Sequence, residues 1–376
     1  MRMFLKKIAA YVNARFLSKY IDNEYWQLAD QSTSKKVSVV ENTVFFDRLL
    51  KNDPGFDTDD IKKNNPAVYN YATQIFSRYL YKITDCIIDP TFNWVILDNK
   101  NVFRYSWPLI EDPWDAVKTR PSLAGFLLKG QPREIEKGIL VKFSWNNYYH
   151  FFFDTLPQIY LCDTLGIPQD VPLIVPHNYN NMQFIRDYFA RVPLKRNVIV
   201  QEEGVYLKVR ELFIAKDAAM SDSIKHIVSD LRVAYNDFND RKYRAPEYLF
   251  ISRNKKYKRT LRNIDEITQI AKEKGFDIIE PANYTSEEQL YLFSNAKYVV
   301  GIHGAGLTSV IFSKNPALRI LEILPGKELT PGHYKSIATY FNYDYRSIEG
   351  DGLDIDGNFS ISKEAFAGSL NNMLEK

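Results

Sequence analysis

The sequence predicts an α/β protein whose second half contains a parallel, doubly wound sheet. Between residues 248 and 374, short apolar runs alternate with segments of helical period, a pattern typical of βαβ units. One helical segment opens on a capping box formed by Thr285 and Glu288. Residues 301–306 form a glycine-rich loop that joins an apolar run directly to a helical pattern. This succession indicates strand, loop and helix in one unit.

The elements of the second half follow from this periodicity and from its stop signals. The predicted strands are 248–252, 276–279, 298–300, 318–324 and 343–348. The predicted helices are 263–274, 285–296, 334–341 and 363–374. Asn263 and Glu266 also have the spacing of a capping box.

The first half carries shorter strand signals separated by turn residues. We predict strands at 86–88, 94–97, 102–105, 139–143, 173–175 and near Val198 and Leu212. Helices are predicted from Asn147 to Gly166, with a kink at Pro157, and at 181–191 and 221–240. The linkers predict three parts: an N-terminal amphipathic helix and linker (1–36), an α/β domain (37–240) and a Rossmann-like domain (241–376). The last helix is a candidate to pack back on the α/β domain.

Composition narrows the class of protein. A chain of 376 residues with 45% hydrophobic residues suits two domains. Its 49 basic and 46 acidic residues nearly balance, so nothing argues for a nucleic-acid partner. Cys86 and Cys162 offer no disulfide framework and favour a reducing compartment. No apolar run approaches the roughly 18 residues of a membrane span, and no signal peptide is visible. We therefore expect a cytoplasmic protein.

Residues 1–28 read as an amphipathic helix in which five basic residues precede the first acid, Asp22. Such a helix can lie on an anionic membrane surface, which would place the protein peripherally at the inner face of the membrane. The alternative is a helix that packs on the body of the protein and leaves its basic face in solvent.

The glycine loop is the first candidate site. Glycines let a backbone approach a ligand closely, and a helix N-terminus offers N–H groups to a phosphate. We expect the loop residues to cradle a diphosphate, with His303 as donor or electrostatic partner: His303, Gly304, Ala305, Gly306 and Leu307. In the alternative interpretation the loop is a tight turn in which His303 caps backbone groups.

Neighbouring strands contribute further candidates. Arg253 follows the first strand of the same sheet, where it could bind the diphosphate bidentately, and Lys258 follows in a basic loop. Glu322 lies 19 positions after His303, about where dinucleotide folds place the acid that binds a ribose hydroxyl.

A second candidate site lies in the helix that starts near Asn147. His150 and Asp154 are four residues apart and share one helix face, and Gln158 continues that polar stripe. Such a pair suits general-base chemistry, in which either the imidazole or the carboxylate takes the proton. The alternative is a hydrogen-bonded pair that only stabilises the helix.

Two acidic segments resemble metal-binding motifs. Residues 57–60 contain a D-x-D spacing within a polar loop, and we interpret them as solvated charge. Residues 354–358 resemble the start of a calcium loop, but the closing glutamate is missing, so we predict a turn. No Cys/His cluster supports zinc. We expect no metal site.

Four motifs resemble glycosyltransferase family 61: N-Y-Y-H-F-F-F-D-T-L-P, Y-L-F-I-S-R, G-I-H-G-A-G-L and L-R-I-L-E-I-L-P. The resemblance implies a GT-B-like fold, two Rossmann-like domains facing a cleft, and an inverting, metal-independent transfer from a nucleotide sugar. It matches Arg253 and residues 303–307 to the donor diphosphate and Glu322 to the ribose. Asn147, His150 and Asp154 match the acceptor side. Phe151 departs from the family's usual tryptophan, and a signal anchor like that of the Golgi members is missing.

Bacterial members of this family are associated with capsules and other surface polysaccharides. The resemblance therefore implies a UDP-linked sugar donor, an oligosaccharide or lipid-linked saccharide acceptor, and no further cofactor. Two alternatives stay open: a non-catalytic nucleotide-sugar-binding subunit of a polysaccharide assembly complex, and a GT-B-shaped nucleotide-sugar epimerase.

Overall fold

The structure is a computed structural model, and the chain in it forms two compact units. It describes residues 26–45, 58–64, 66, 69, 73, 75–106, 120–143, 147–235, 245–253, 259–326 and 332–375. The first unit comprises Met1–Asn146, His150–Met182 and Leu194–Ile224. The second comprises Asn147–Tyr149, Gln183–Pro193 and Lys225–Lys376. The second unit thus begins earlier than the linker at residue 241 and includes two short segments from the first half.

The elements in the described part of the chain are as follows. The strands are β1 (Gln27–Ala29), β2 (Val37–Val44), β3 (Ser77–Ile88), β4 (Val95–Ile96), β5 (Asn101–Phe103), β6 (Arg133–Leu140), β7 (Leu173–Pro176), β8 (Val198–Gln201), β9 (Leu207–Lys216), β10 (Tyr248–Ile251), β11 (Asp277–Ile279), β12 (Tyr298–Ile302), β13 (Arg319–Leu324) and β14 (Asp344–Glu349). The α-helices are α1 (Thr58–Asn64), α2 (Leu123–Leu127), α3 (Tyr148–His150), α4 (Leu156–Thr164), α5 (Gln183–Arg191), α6 (Asp222–Ala234), α7 (Ile264–Glu273), α8 (Ser286–Ser294), α9 (His333–Phe341) and α10 (Lys363–Leu374).

The first unit is built on a nine-stranded mixed sheet. Its order is β1-β5-β4-β3-β9-β6-β7-β8, and β2 pairs with β3. Strands β9, β6, β7 and β8 are parallel, as in a Rossmann-like sheet. The long strand β3 is antiparallel to both β2 and β9. The expected Rossmann-like sheet therefore describes only part of this unit.

The second unit is a five-stranded, fully parallel sheet in the order β11-β10-β12-β13-β14. The predicted strands and helices of this half are confirmed to within two residues at most ends. After β10 the chain adds β11 on one side and β12 on the other, so a topological switch point lies between β10 and β12. Ligands of open α/β sheets bind outside the carboxyl ends of the strands at such a point.

Of the two capping boxes predicted in the second unit, the structure contains one and lacks the other. Thr285 and Glu288 form the predicted capping box of α8. The Asn263 side chain does not cap α7. It donates instead to the Ile361 carbonyl at 2.8 Å.

The last helix, α10, buries Phe366, Leu370 and Met373 in a cluster made of second-unit residues, so its apolar face packs within its own unit.

Two further predictions of the first half need correction. Residues 1–25 of the predicted N-terminal helix lie outside the described residues, but Gln27–Ala29 forms β1, so that helix does not reach Leu28. The segment after Asn147 is a helix interrupted by a π turn at Phe151–Thr155. Pro157 lies in the first turn of α4, where its missing N–H is tolerated. Within the described ranges, no helix is both long and apolar enough to cross a bilayer.

Lys216 is an ionisable residue in the interior of the first unit. Its side chain lies at the end of β9, 3% exposed, and Nζ donates to the Ser77 carbonyl at 2.7 Å. Burial lowers the pKa of Lys216 to about 8, although the charges of Asp154 and Asp217 partly oppose this effect. In the unfolded chain the same group titrates near its ordinary pKa, about 10.4.

Lys216 therefore predicts a pH dependence of stability. Between pH 8 and 10 the unfolded state binds more protons at this site, so its contribution to the free energy of unfolding rises with pH. Relative to Lys216→Met, the wild type should gain about 2 kcal/mol between pH 7.5 and 9.5 in urea unfolding. Lys208→Met, at an exposed position, is the control and should show no such gain. A wild-type advantage that is constant or falls with pH would contradict the assignment.

Candidate functional site

A cavity of about 590 Å³ lies in the second unit at the carboxyl ends of β10, β11 and β12. Its walls come from residues 251–253, from residues 280–286, and from Ile302 with Gly304–Gly306. Tyr148 and three residues of α5 complete it. The cavity thus occupies the switch point between β10 and β12, the position that the topology favours for a ligand.

The glycines of the loop after β12 make room for two particular side chains. A Cβ atom at Gly301 would lie 2.6 Å from Cδ2 of Leu307. A Cβ atom at Gly304 would overlap Nη1 of Arg253. Gly301 therefore lets Leu307 pack into the core, and Gly304 lets the Arg253 guanidinium lie against the loop.

Arg253 is held where the sequence placed it, beyond the end of β10. Its Nη1 donates to the His303 carbonyl at 3.0 Å, and the residue is part of the cavity wall. The guanidinium thereby brings a fixed positive charge to the edge of the cavity that the glycine loop forms.

The helical segment that follows the loop is a 3₁₀-helix, Ala305–Phe312. Its first bond runs from the Leu307 N–H to the Gly304 carbonyl, at 3.0 Å. The N–H groups of Ala305 and Gly306 precede that bond, and both residues line the cavity. Of the predicted cradle, these two amides are the candidates to bind a ligand, because the first N–H groups of a helix have no partner within it. Leu307 contributes packing, since it is fully buried.

His303 lies behind the loop, in a buried hydrogen-bonded chain. It is 5% exposed, and its Nδ1 lies 2.5 Å from Oε1 of Glu322. The Tyr345 hydroxyl donates to the other Glu322 oxygen at 2.6 Å. A carboxylate in this position fixes the orientation of the imidazole ring. Burial and the Glu322 charge also raise the pKa of Tyr345, which keeps that hydroxyl a donor.

The predicted ribose contact of Glu322 stays a prediction. Glu322 is 2% exposed and both of its carboxylate oxygens accept hydrogen bonds, from His303 and from Tyr345. A ribose hydroxyl would have to reach a carboxylate that is almost fully buried and already accepts two hydrogen bonds. The interpretation in which His303 caps backbone also differs from the structure, because the ring nitrogen that bonds does so to a carboxylate.

The His150–Asp154 pair lies in the first unit. The two residues span the π turn, and Nδ1 of His150 bonds directly to Oδ2 of Asp154. Their side chains are 22% and 13% exposed, so both are accessible to a small group. The phenylalanines of the turn, residues 151–153, are buried. π turns within α-helices are frequent at functional sites.

Gln158 anchors the helix that carries this pair. Its Oε1 accepts from the Lys142 N–H at 2.9 Å, and its Nε2 donates to the Lys142 carbonyl at 3.0 Å. The same Nε2 lies 2.7 Å from the Asp154 carbonyl. The third member of the predicted polar stripe is therefore a structural tie to β6. Asp154 also interacts electrostatically with the buried Lys216. No sequence pattern predicted this interaction.

The remaining predicted positions are distributed as follows. Lys258 and Asp57 lie outside the described residues. Asn147 is half-buried and directly precedes Tyr148, a cavity residue. Asp354 accepts hydrogen bonds from the N–H groups of Asp356 and Asn358, which confirms the predicted turn.

Sequence reasoning missed two cavity walls. The segment from Glu280 to Ser286 follows the predicted strand 276–279, so the rule that ligands bind at carboxyl ends could have identified it. The residues of α5, Gln183, Phe184 and Asp187, come from a distant part of the chain and carried no signal.

Comparison with known proteins gives two matches. Residues 148–320 match the family described as Glycosyltransferase 61. The alpha-1,3-arabinosyltransferase XAT3 of Oryza sativa subsp. japonica is 35% identical over 83 residues. This alignment covers 21% of the present chain and 14% of the rice protein, so the likeness concerns a small part of that relative.

The family match contains both candidate sites of the chain. It includes the His150–Asp154 pair, Arg253 and the whole loop after β12, and it ends two residues before Glu322. Over this segment the chain is therefore similar to glycosyltransferase family 61, and together with the similarity to an arabinosyltransferase the match supports a glycosyltransferase.

Proposed function

We propose that this protein is an inverting, metal-independent glycosyltransferase that moves a sugar from a UDP-linked donor to a saccharide acceptor. The observation that carries the proposal is the second-unit cavity, where Arg253 and the N–H groups of Ala305 and Gly306 lie along one edge. A nucleoside diphosphate is the ligand whose charge and size suit this edge.

On the donor side, these groups act on the leaving group. When the bond between the anomeric carbon and the phosphate oxygen breaks, negative charge develops on the diphosphate. Arg253 and the two amides are fixed donors that meet this charge. His303, bonded through its ring to Glu322 and through its backbone N–H to the Ile323 carbonyl, holds the loop in position behind these donors. The supply of positive charge from Arg253 and the backbone supports a reaction without a metal ion.

On the acceptor side, the His150–Asp154 pair supplies the base. An acceptor hydroxyl gives up its proton to His150 or to Asp154, and its oxygen attacks the anomeric carbon opposite the leaving diphosphate. The carboxylate that bonds to the imidazole suits either assignment, because it orients the ring and can itself accept a proton.

The biological setting is inferred from the family and from the rice relative. That relative is named an arabinosyltransferase, which fits transfer onto a saccharide. We place this protein in surface polysaccharide biosynthesis, in the cytoplasm, with an oligosaccharide or lipid-linked acceptor. The basic residues that precede Asp22 would contact the inner face of the membrane. The accessible His150–Asp154 pair favours an enzyme over a non-catalytic binding subunit, and an acceptor requirement would separate it from an epimerase.

The function is tested by a mass-spectrometric screen of nucleotide sugars, with and without candidate saccharide acceptors, in the presence of EDTA. We expect a glycosylated product that forms only when both substrates are present and that EDTA does not abolish. Conversion of a nucleotide sugar without acceptor would indicate an epimerase. A strict requirement for manganese would reject the metal-free mechanism.

The general-base role predicts the effect of two substitutions. In Asp154→Asn and His150→Gln, transfer rates should fall by about 10²- to 10⁴-fold, because proton transfer from the acceptor loses its base. Affinity for UDP should stay unchanged in both variants. His177→Gln, at an exposed histidine of the same unit, is the matched control. Full activity in both variants would remove the pair from the mechanism.

The close approach of Arg253 to Gly304 predicts a second effect. In Gly304→Ala the new methyl group would displace the guanidinium. UDP affinity should therefore fall about as far as in Arg253→Ala, by about 1.5–3 kcal/mol for a lost charge-assisted bond. Isothermal titration calorimetry measures both. Gly368→Ala, where a Cβ atom meets nothing within 4 Å, is the control. If Gly304→Ala and Arg253→Ala both bind UDP with wild-type affinity, the diphosphate does not bind at this loop.

A further inference from the structure

An acidic residue outside the family motifs lies in the wall of the cavity. Glu280 directly follows Ile279, the last residue of β11, and is half-buried. Strand β11 is the second strand of this sheet in chain order and pairs with β10 in parallel. Ligands of open α/β sheets bind outside the carboxyl ends of the strands, and Glu280 lies at that end of β11.

The other acids near the cavity are already engaged. Glu322 is buried and bonded to His303 and Tyr345, and it is not part of the cavity wall. Asp187 lines the cavity, but its Oδ1 accepts from the Gln183 side chain at 2.6 Å. Among the residues that the structure describes, none forms a hydrogen bond or ion pair with the Glu280 carboxylate. Of these three acids, Glu280 is the one that lines the cavity and whose carboxylate has no hydrogen bond or ion pair to another described residue.

The segment that carries Glu280 is fixed relative to the diphosphate edge. Gln289 donates through Nε2 to the Pro281 carbonyl at 2.9 Å and accepts from the Ser309 hydroxyl, also at 2.9 Å. Ser309 belongs to the 3₁₀-helix whose first amides line the cavity. A Cβ atom at Gly306 would lie 3.2 Å from Cγ of Pro281, so the loop and this segment are in close packing. One ligand can therefore contact both.

We propose that Glu280 accepts a hydrogen bond from a ribose hydroxyl of the donor nucleotide, so that the cavity selects ribonucleoside over deoxyribonucleoside diphosphates. This inference rests on the proposed function and assigns the ribose contact to Glu280 rather than to Glu322. A carboxylate accepts hydrogen bonds and donates none. Loss of the hydroxyl would leave a partly desolvated charge without its partner, and this is the basis of discrimination.

The test compares affinities for UDP, 2′-deoxy-UDP and 3′-deoxy-UDP by isothermal titration calorimetry. The wild type should bind at least one deoxy compound about 10- to 100-fold more weakly than UDP, the range for a hydrogen bond to a charged group. Glu280→Ala should lose that ratio, and Glu280→Gln should retain part of it. Asp277→Asn, on the same strand at its amino end and exposed, is the control and should keep the full ratio.

Each other outcome is decisive. If the wild type binds UDP but the ratio survives in Glu280→Ala, the inference fails while the donor site stands. If Glu322→Gln loses the ratio and Glu280→Ala keeps it, the ribose contact belongs to Glu322. Equal affinity of the wild type for all three compounds also overturns the inference. If none of UDP, GDP, CDP and ADP binds the wild type, the proposed function fails, and this inference fails with it.

Discussion

The diphosphate edge depends on one steric constraint, the space that Gly304 leaves for the Arg253 guanidinium. Because no side chain extends from Gly304, the guanidinium can lie against the loop and bond to the His303 carbonyl. On the other side of the loop, the Tyr334 hydroxyl donates to the Gly304 carbonyl at 2.5 Å. Loop carbonyls thus bond to the protein, while Ala305 and Gly306, whose N–H groups precede the first bond of the 3₁₀-helix, line the cavity. Because its carbonyl oxygens are bonded elsewhere, the loop leaves N–H donors available to an anion.

The buried histidine is the second consequence of the same loop. Its backbone N–H donates to the Ile323 carbonyl, and its ring bonds to Glu322 on the adjacent strand β13. Residue 303 therefore couples the loop to the centre of the sheet. His303 is not part of the cavity wall, so it acts on the cavity through the position of the loop. In the first unit, His150 at the start of a π turn bonds to Asp154 within it, and the Asp154 charge acts on the buried Lys216.

Much of the second unit was predictable because its physics is local. Strands buried on both faces give continuous apolar runs, and 248–252, 298–300 and 318–324 were identified in this way. The long strand β3 was largely missed because polar residues such as Arg78 and Lys82 interrupt its apolar positions. Its antiparallel pairing with β9 joins residues far apart in the chain, which no local pattern encodes.

The same distinction between local sequence patterns and long-range packing applies to the candidate site. Arg253 and the glycine loop follow from motif and strand position, so sequence identified them. The cavity walls from α5 and Tyr148 arise from tertiary packing. Glu322 shows the limit most clearly, since its spacing from His303 suits a ribose ligand and a buried partner of the histidine equally well. Only burial and the bond from Tyr345 separate the two roles.

The most direct measurement of the central claim is a crystal structure of the protein with UDP. It should show the diphosphate against the amides of Ala305 and Gly306 and within bonding distance of Arg253, with the nucleoside inside the second-unit cavity. A nucleotide bound at any other place, with this cavity empty, would contradict the account.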